Sequence, residues 1–278
     1  MSRSAYLSVL LGLLMVLGGC SGGIIDGQTT GGNGDTTTAT TTQLGDPYTA
    51  SGDELDAATL VADHETALTD AGSFTNQLNI TLETTDGNLD LWTTTRADLT
   101  AEQALRTNRL VFEEFVIETA VYTTGNRSFE RNYFLSNDSE VTEYGQGSDP
   151  YDDPEGPDPV NVSEAMQLEI VRDTVDGATW TQQGVEEFGG VSVTRYEARG
   201  VESFRDLQED VDPSTNQTFT NAEAVLLVDE DGIVRYLEIV FEVEDDDGQG
   251  RIFVTSTITG VGETTVAEPD WTDRARNN

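Results

Sequence analysis

Few side chains of the 278-residue sequence could act as a nucleophile or a base near neutral pH. The chain has one cysteine, Cys20, one histidine, His64, and no lysine, because all 14 basic residues are arginine. Its 52 acidic residues could supply a catalytic carboxylate pair, but at this abundance almost any spacing between two carboxylates arises by chance. The motifs Gly-x-x-x-x-Gly-Lys and His-Glu-x-x-His are absent. We therefore expect a protein that is not an enzyme and has no cofactor; a carboxylate enzyme is the weakest of three hypotheses.

Two further features invite a functional interpretation, and a structural interpretation is favoured for each. His64 could be an isolated base, but it borders the apolar side of a predicted helix, where a buried core histidine is the simpler explanation. The run Asp-Asp-Asp-Gly at 245–248 suggests calcium, yet it lacks the alternating ligands and the later glutamate of an EF-hand loop. A solvated acidic turn explains this run, and no metal site is predicted.

The first twenty residues have the pattern of a secretory signal peptide. Arg3 gives a short positive region, 5–17 is an uncharged apolar stretch, and small residues follow up to Cys20. Thirteen helical residues rise only about 20 Å, which is too short for a membrane span of about 30 Å. The sequence Leu-Gly-Gly-Cys at 17–20 resembles the lipobox of prokaryotic lipoproteins. That resemblance implies a lipid-modified Cys20 that anchors the chain to the membrane, facing outside.

The net charge of −38 limits the partners of the protein. Nucleic acid is excluded, because a phosphate backbone is bound by neutralising cations. At multimolar salt the Debye length falls below about 3 Å, so a dense layer of surface carboxylates no longer repels itself at range. The acidity and the absence of lysine are therefore typical of halophilic proteins. The single cysteine excludes intramolecular disulfides.

The chain is predicted to consist of a signal peptide at 1–19, a lipid-anchored Gly/Thr-rich linker at 20–50, a domain at 51–273 and a tail at 274–278. The linker has no large apolar residue between 29 and 42, so it cannot offset the entropy of folding. Asn-x-Ser/Thr sequons are possible glycosylation sites in an exported protein. They occur at Asn79, Asn126, Asn137, Asn161 and Asn216.

The domain is predicted to begin with an amphipathic helix. Apolar residues recur at helical spacing over 55–68, Ser51 or Asp53 could cap the first turn, and Gly72 ends the helix. From Phe74 the period changes to two, which is typical of a half-buried strand. Further strands are predicted at 89–92, 105–112, 115–123 and 128–135. The apolar run 110–117 could also be helical, but the neighbouring Thr, Val and Tyr residues favour a strand.

The second half repeats this order of elements. The acidic, proline-rich segment 149–159 is predicted to be an exposed loop. A helix follows over 161–171, and a third helical segment is predicted over 201–211. Strands are predicted at 178–183, 191–198, 222–228, 233–243 and 251–261, and the aromatic residue of Pro269-Asp270-Trp271 could pack back on the sheet.

The predicted fold is α+β: one strongly curved antiparallel sheet, a half-barrel of about ten strands, with about three helices on its concave face. The chain resembles the LolA-like half-barrel lipoproteins, including mycobacterial LppX-type carriers, and more closely a haloarchaeal lipoprotein family. The resemblance is carried by Leu17 to Cys20, Ala71-Gly72-Ser73-Phe74, the hairpin Thr119 to Arg131, the turn Val228 to Gly232, and Pro269-Asp270-Trp271. It implies that the concave face could hold acyl chains.

Two functional hypotheses remain beside the enzyme. The first is a membrane-tethered monomer that binds a lipid or another apolar ligand in a cavity of the half-barrel. The second is a cell-surface structural or interaction protein whose interior is filled by its own side chains. The two differ in whether one set of inward residues packs solid or lines a cavity of at least about 300 Å³. The possible cavity-lining residues are Phe74, Leu78, Ile80, Leu82, Leu237, Ile239 and Phe241.

Overall fold

Segments of alternating apolar and polar residues form one open sheet of eleven strands. The structure, a computed structural model, describes residues 48–50, 54–85, 87–125, 127–136, 139–147, 165–166, 168–204, 218–245 and 248–277. The strands are β1 (Thr49–Ala50), β2 (Glu54–Leu55), β3 (Ser73–Thr84), β4 (Gly87–Asp98), β5 (Gln103–Phe112), β6 (Phe115–Thr124), β7 (Arg127–Ser136), β8 (Ser139–Gly147), β9 (Thr181–Phe188), β10 (Val191–Arg199), β11 (Thr218–Asp229), β12 (Val234–Asp245) and β13 (Gly248–Thr259). The helices are α1 (Ala57–Ala71), α2 (Leu168–Gly177) and α3 (Thr272–Arg276), with a 3-10 turn at Val201–Ser203.

The strand order is β8-β7-β6-β5-β4-β3-β13-β12-β11-β10-β9, and every pair is antiparallel. Two runs of consecutive hairpins therefore meet where the first large strand, β3, pairs with the last, β13. β1 and β2 form a separate small pair. This single open sheet with three helices confirms the predicted fold class. The sequence-based count was one strand short, because β8 was not predicted.

Among the described strands, each edge strand of this sheet has a neighbouring strand on one side only. The edge strand β9 contains a β-bulge: Arg195 pairs with Gly184 and Tyr196 with Gln182, so Gln183 has no partner residue in β10. The other edge strand, β8, lies beside α3, where Gln146 Nε2 donates to the carbonyl oxygen of Arg276 at 3.0 Å. The two edges therefore differ in their protection.

The residue that caps the N-terminus of helix α1 differs from the two that were predicted. The backbone N–H of Thr59 donates to Asp56 Oδ1 at 3.0 Å, so Asp56 is the N-cap, and the prediction of Ser51 or Asp53 was wrong. The carboxylate of Asp56 is the one positioned to reach the first turn of a helix that starts at Ala57. The predicted end at Gly72 is confirmed, because Gly72 adopts the left-handed conformation with φ 72°.

The packed residues extend past the predicted ends of the domain. Tyr48 is buried in the main core, three residues before the predicted start at 51. At the other end α3 runs across the predicted boundary at 273. The third helical segment predicted over 201–211 corresponds to the short 3-10 turn, and its remainder from 205 lies outside the described residues, as does the loop 149–159.

The two faces of the sheet are covered by different helices, whereas about three helices were predicted on one, concave face. We call the face that carries Leu78, Ile80 and Leu82 the inner face. Side chains of α1 and α2 join inner-face residues of β3, β4 and β10–β13 in the main core. Helix α3 instead packs on the outer face, where Trp271 and Ala275 contact a cluster with Tyr122 and Phe129. The predicted return of Trp271 to the sheet is thereby confirmed.

Candidate functional site

One row of apolar side chains crosses ten strands of the inner face. Directly paired residues of antiparallel strands point to the same face, so the strand register identifies the row. It consists of Ala198, Ala224, Ile239, Val254, Ile80, Leu91, Leu110, Ile117, Phe134 and Val141, in order from β10 to β8. We call these ten residues the apolar row.

The apolar row is buried at one end and exposed at the other. Ile80 is 2% exposed, whereas Ile117, Phe134 and Val141 are 38%, 41% and 45% exposed. Phe115, two residues before Ile117 on the same face, is 44% exposed. Among the described residues, no helix packs against these four side chains. We call Phe115, Ile117, Phe134 and Val141 the apolar patch.

A polar row runs beside the apolar row across β4–β7. Its members Thr93, Asn108, Thr119 and Asn132 are successive register partners on the inner face. The hydroxyl of Thr93 donates to Asn108 Oδ1 at 3.0 Å, and that of Thr119 donates to Asn132 Oδ1 at 2.9 Å. The open part of the inner face therefore offers an apolar strip bordered by hydroxyl and amide groups, which suits an elongated amphipathic molecule.

A family profile described as "Family of unknown function (DUF7537)" matches residues 5–275. The chain belongs to this family. No curated protein matches the sequence.

Several solved structures match most of this DUF7537 chain at low sequence identity. LprF from Mycobacterium bovis is 12% identical, with a TM-score of 0.36, and the match covers 77% of this chain and 96% of that one. The Mycobacterium tuberculosis lipoprotein LppX is 14% identical, with a TM-score of 0.34 and coverage of 76% and 99%. A LolA superfamily protein from Nitrosomonas europaea is 10% identical, with a TM-score of 0.22 and coverage of 77% and 95%.

The seven residues predicted to line a cavity lie in the part of the DUF7537 domain that α1 and α2 cover. Leu78, Ile80, Leu82, Leu237 and Ile239 are buried in the main core, and Phe241 packs against it. Phe74 is buried in a second cluster near the end of α1. The structure thus brings six of the seven together with α1 and α2, and their contact with a ligand stays a prediction.

The remaining predicted sites lie mostly outside the described residues. Cys20 and the sequons at Asn126, Asn137, Asn161 and Asn216 are among them. Asn79 is described: it lies in the middle of β3 on the outer face, and its Nδ2 donates to Thr255 Oγ1 at 3.4 Å. Glycosylation at Asn79 stays a prediction.

The apolar patch was missed by sequence reasoning. The run 110–117 was assigned to a strand from the neighbouring Thr, Val and Tyr residues, and such enrichment does not distinguish a covered face from an open one. The signal that could have found the patch is the strand register, which aligns Ile117 with Phe134 and Phe134 with Val141.

Two clefts lie elsewhere in the described part of the chain. One, of about 690 Å³, lies between α1 and the turn before β12 and is lined in part by Asp63, Asp70, Glu230 and Asp231. The other, of about 380 Å³, lies at the strand ends near Glu83, Glu242 and Arg251. None of the seven predicted cavity residues lines either cleft. Within the described residues no group of three His, Cys, Asp or Glu side chains could hold a metal ion.

His64 is fully buried where α1 meets β12, which confirms its predicted position on the buried side of the helix. Its Nδ1 accepts a hydrogen bond from the backbone N–H of Val234 at 3.1 Å. The neutral ring therefore carries its proton on Nε2, which faces the backbone of Met166 without forming a regular hydrogen bond to a described residue. Burial lowers the pKa of His64 to about 4, so the ring is neutral at pH 7 and joins two elements of the core.

No helix in the described part of the chain is long and apolar enough to cross a membrane.

Proposed function

We propose that the protein is a membrane-anchored, extracytoplasmic lipoprotein of halophilic archaeal origin that binds a lipid or another apolar ligand on the open part of its inner face. The observation that carries the proposal is the continuity of the apolar row, which leaves the helix-covered core at Leu110 and ends as the exposed patch. Isolated exposed apolar side chains are common, but a contiguous group on one face marks a binding surface. The role is binding and not catalysis.

The lipid anchor supports an apolar ligand. A lipidated Cys20 would hold the domain outside the cell within reach of the membrane, through a linker of about 30 residues with a root-mean-square span of roughly 30 Å. The domain would therefore meet membrane lipids at a high local concentration. The absence of lysine and the net charge of −38 support a halophilic origin.

The size of the open surface agrees with a single apolar chain. From Leu91 to Val141 the apolar row crosses four strand spacings, about 19 Å. One lipid chain occupies about half of a hydrocarbon core of about 30 Å, which is slightly less than this length. Burial of ten methylene groups would contribute about 8 kcal/mol before ordering costs, so micromolar affinity is expected.

The helix-covered part of the inner face is a poor position for a ligand. Leu78 and Ile239 are 4% and 7% exposed and belong to a core that includes residues of α1 and α2. A larger side chain at either position would overpack this core and destabilise the fold by about 1–3 kcal/mol. Binding is therefore best tested at the apolar patch.

Val141 and Thr142 offer a matched test, since they are adjacent, exposed residues of β8 that point to opposite faces. We expect Val141→Asp and Phe134→Asp to weaken binding of a fluorescent monoacylglycerol at least tenfold, because a carboxylate would have to be desolvated beneath the chain. Thr142→Asp, which adds the same charge on the outer face, should bind like the wild type. All proteins are to be measured in high salt, with circular dichroism as the folding control.

Mass spectrometry of organic extracts from the purified wild-type protein would identify a natural ligand. If no lipid copurifies and the wild type binds no probe, the proposal that the protein binds an apolar ligand is wrong. Equal weakening by Val141→Asp and Thr142→Asp would instead show that the ligand does not occupy the inner face.

A second candidate function is a cell-surface structural or interaction protein without a ligand. It is favoured by the solid packing of the helix-covered half, where six of the seven predicted cavity residues contribute to the main core or pack against it. In that case the apolar patch would serve contact with another envelope component. The wild type would then bind no monoacylglycerol.

A further inference from the structure

Asn108 of the polar row has an amide orientation that the structure determines. Its Oδ1 faces two groups, the hydroxyl of Thr93 at 3.0 Å and Nε of Arg106 at 3.3 Å. The Nε–H of arginine can only donate, so the atom that faces it is the amide oxygen and not the nitrogen. The amide nitrogen, Nδ2, therefore points away from both partners.

The two N–H groups of Asn108 Nδ2 donate to none of the described residues. Asn132, the other amide of the polar row, differs in this respect, because its Nδ2 donates to Glu130 Oε1 at 2.8 Å. Asn108 is half-buried and lies two residues from Leu110, which places it roughly 7 Å along β5 from the apolar row. A donor that has no acceptor among the described residues thus borders the apolar strip near the point where the strip becomes exposed.

Charged side chains of both signs border the open inner face. Glu130 and Glu143 flank Asn132 on this face. Glu130 lies two residues before Asn132 in β7, and Glu143 is the register partner of Asn132 in β8. The Arg106 guanidinium lies beside Asn108, and its Nε donates to Asn108 Oδ1 at 3.3 Å.

We infer that the ligand of the proposed site is an amphiphile whose polar group carries an acceptor oxygen, and that Asn108 Nδ2 donates to this oxygen while the chain lies on the apolar row. The inference rests on the proposed function. It assigns Asn108 as the residue that selects an ester, ether or hydroxyl oxygen over a polar group without an acceptor.

The test compares two probes of equal alkyl length that differ in their polar group. A fluorescent monoacylglycerol has ester and hydroxyl oxygens, whereas an alkyltrimethylammonium ion has no acceptor. The full-length protein in high salt is titrated with each probe, as wild type, as Asn108→Leu and as Thr107→Leu. Thr107 is the adjacent residue of β5 on the outer face, so Thr107→Leu is the matched control.

We expect Asn108→Leu to weaken monoacylglycerol binding about fivefold, the size of one net hydrogen bond, and to change alkyltrimethylammonium binding by less than about twofold. Thr107→Leu should leave both affinities unchanged, and thermal melts confirm that each variant is folded.

The outcomes separate the inference from the proposed function. If the wild type binds neither probe, the proposed function fails. If the wild type binds but Asn108→Leu weakens both probes equally or neither of them, ligand binding stands and the role of Asn108 is wrong.

Discussion

Ile80 and Phe134 lie in the same row of the inner face, four strands apart, yet 2% of Ile80 and 41% of Phe134 is exposed. The difference arises because α1 and α2 cover the half of the sheet that contains Ile80, whereas α3 packs on the opposite face of the other half. One sheet therefore has a half that stabilises the fold and a half whose inner face is open.

Trp271 should stabilise the half of the sheet that lacks α1 and α2. It is 8% exposed, packs with Tyr122 and Phe129, and has the Arg131 guanidinium 6.0 Å from its ring. Trp271→Ala should lower the free energy of unfolding by about 3–5 kcal/mol, as measured by denaturant titration. The control is Trp92→Ala, at a position 37% exposed, which should cost less than about 1 kcal/mol. Equal losses would contradict a structural role for the α3 cluster.

His64 should make stability depend on pH. Burial lowers the pKa of His64 to about 4 in the folded protein, against 6.5 for an exposed ring, so the unfolded chain binds a proton first as pH falls. Neutral His64 therefore makes its full contribution to the free energy of unfolding above about pH 6.5. This contribution is lost as pH falls towards 4, by about 2 kcal/mol between pH 7 and 5. His64→Gln removes this titration, so the difference in unfolding free energy between wild type and variant should shrink over that range. Parallel pH curves would show that His64 is not buried as described.

Gly232 should be sensitive to a single added methyl group. It has φ 87°, and a Cβ there would lie 2.6 Å from Tyr48 Oη and 2.9 Å from Asp63 Cβ. Gly232→Ala should cost about 2–4 kcal/mol, because backbone strain and overpacking add. Gly125 has φ 55°, and a methyl group added there would meet no described atom within 4 Å, so Gly125→Ala should show the strain alone, about 1–2 kcal/mol. Similar losses of unfolding free energy at the two positions would show that Tyr48 moves aside at little cost.

Cys20 should determine attachment to the membrane. We expect Cys20→Ser to release the protein into the medium or to leave uncleaved precursor, because serine cannot carry a thioether-linked lipid. Fractionation with mass determination of the N-terminus measures this. Cleaved, membrane-bound Cys20→Ser protein would refute lipid anchoring.

Removal of salt should unfold the domain. With a net charge of −38, self-repulsion grows as the Debye length rises from about 3 Å in molar salt to about 10 Å at 0.1 M. Dialysis from multimolar KCl to below about 0.1 M should abolish the far-ultraviolet signal of the sheet. Equal melting temperatures in both conditions would show that the acidity is not a salt adaptation.

The central strands and α1 could be predicted because their sequence signals are local. The period-two alternation over 74–83 predicts a strand, and the glycine at 72 predicts the end of α1. Both predictions are confirmed. β8 was missed because its residues 139–143 are all exposed and its sequence SEVTEYGQG shows little alternation of apolar and polar residues. α3 was missed because five residues are too few for a helical period.

The candidate site could be predicted only in part. The inner-face identity of Leu78 and Ile239 follows from alternation and was correctly assigned. The exposure of Phe134 depends on where the helices pack, and the donor of Asn108 depends on the positions of Thr93 and Arg106. These are tertiary relationships between strands distant in sequence, which a single sequence does not encode in any local pattern.

The bulge at Gln183 has a consequence for the chain at high concentration. An exposed edge strand is a template for pairing with another copy, and many proteins prevent such polymerisation with edge charges. In concentrated brine that defence is weak, because repulsion between carboxylates is screened over a few ångströms. A bulge interrupts the ladder by geometry and is independent of ionic strength. We therefore expect β9 to resist fibre formation in the same salt in which its glutamates no longer repel each other.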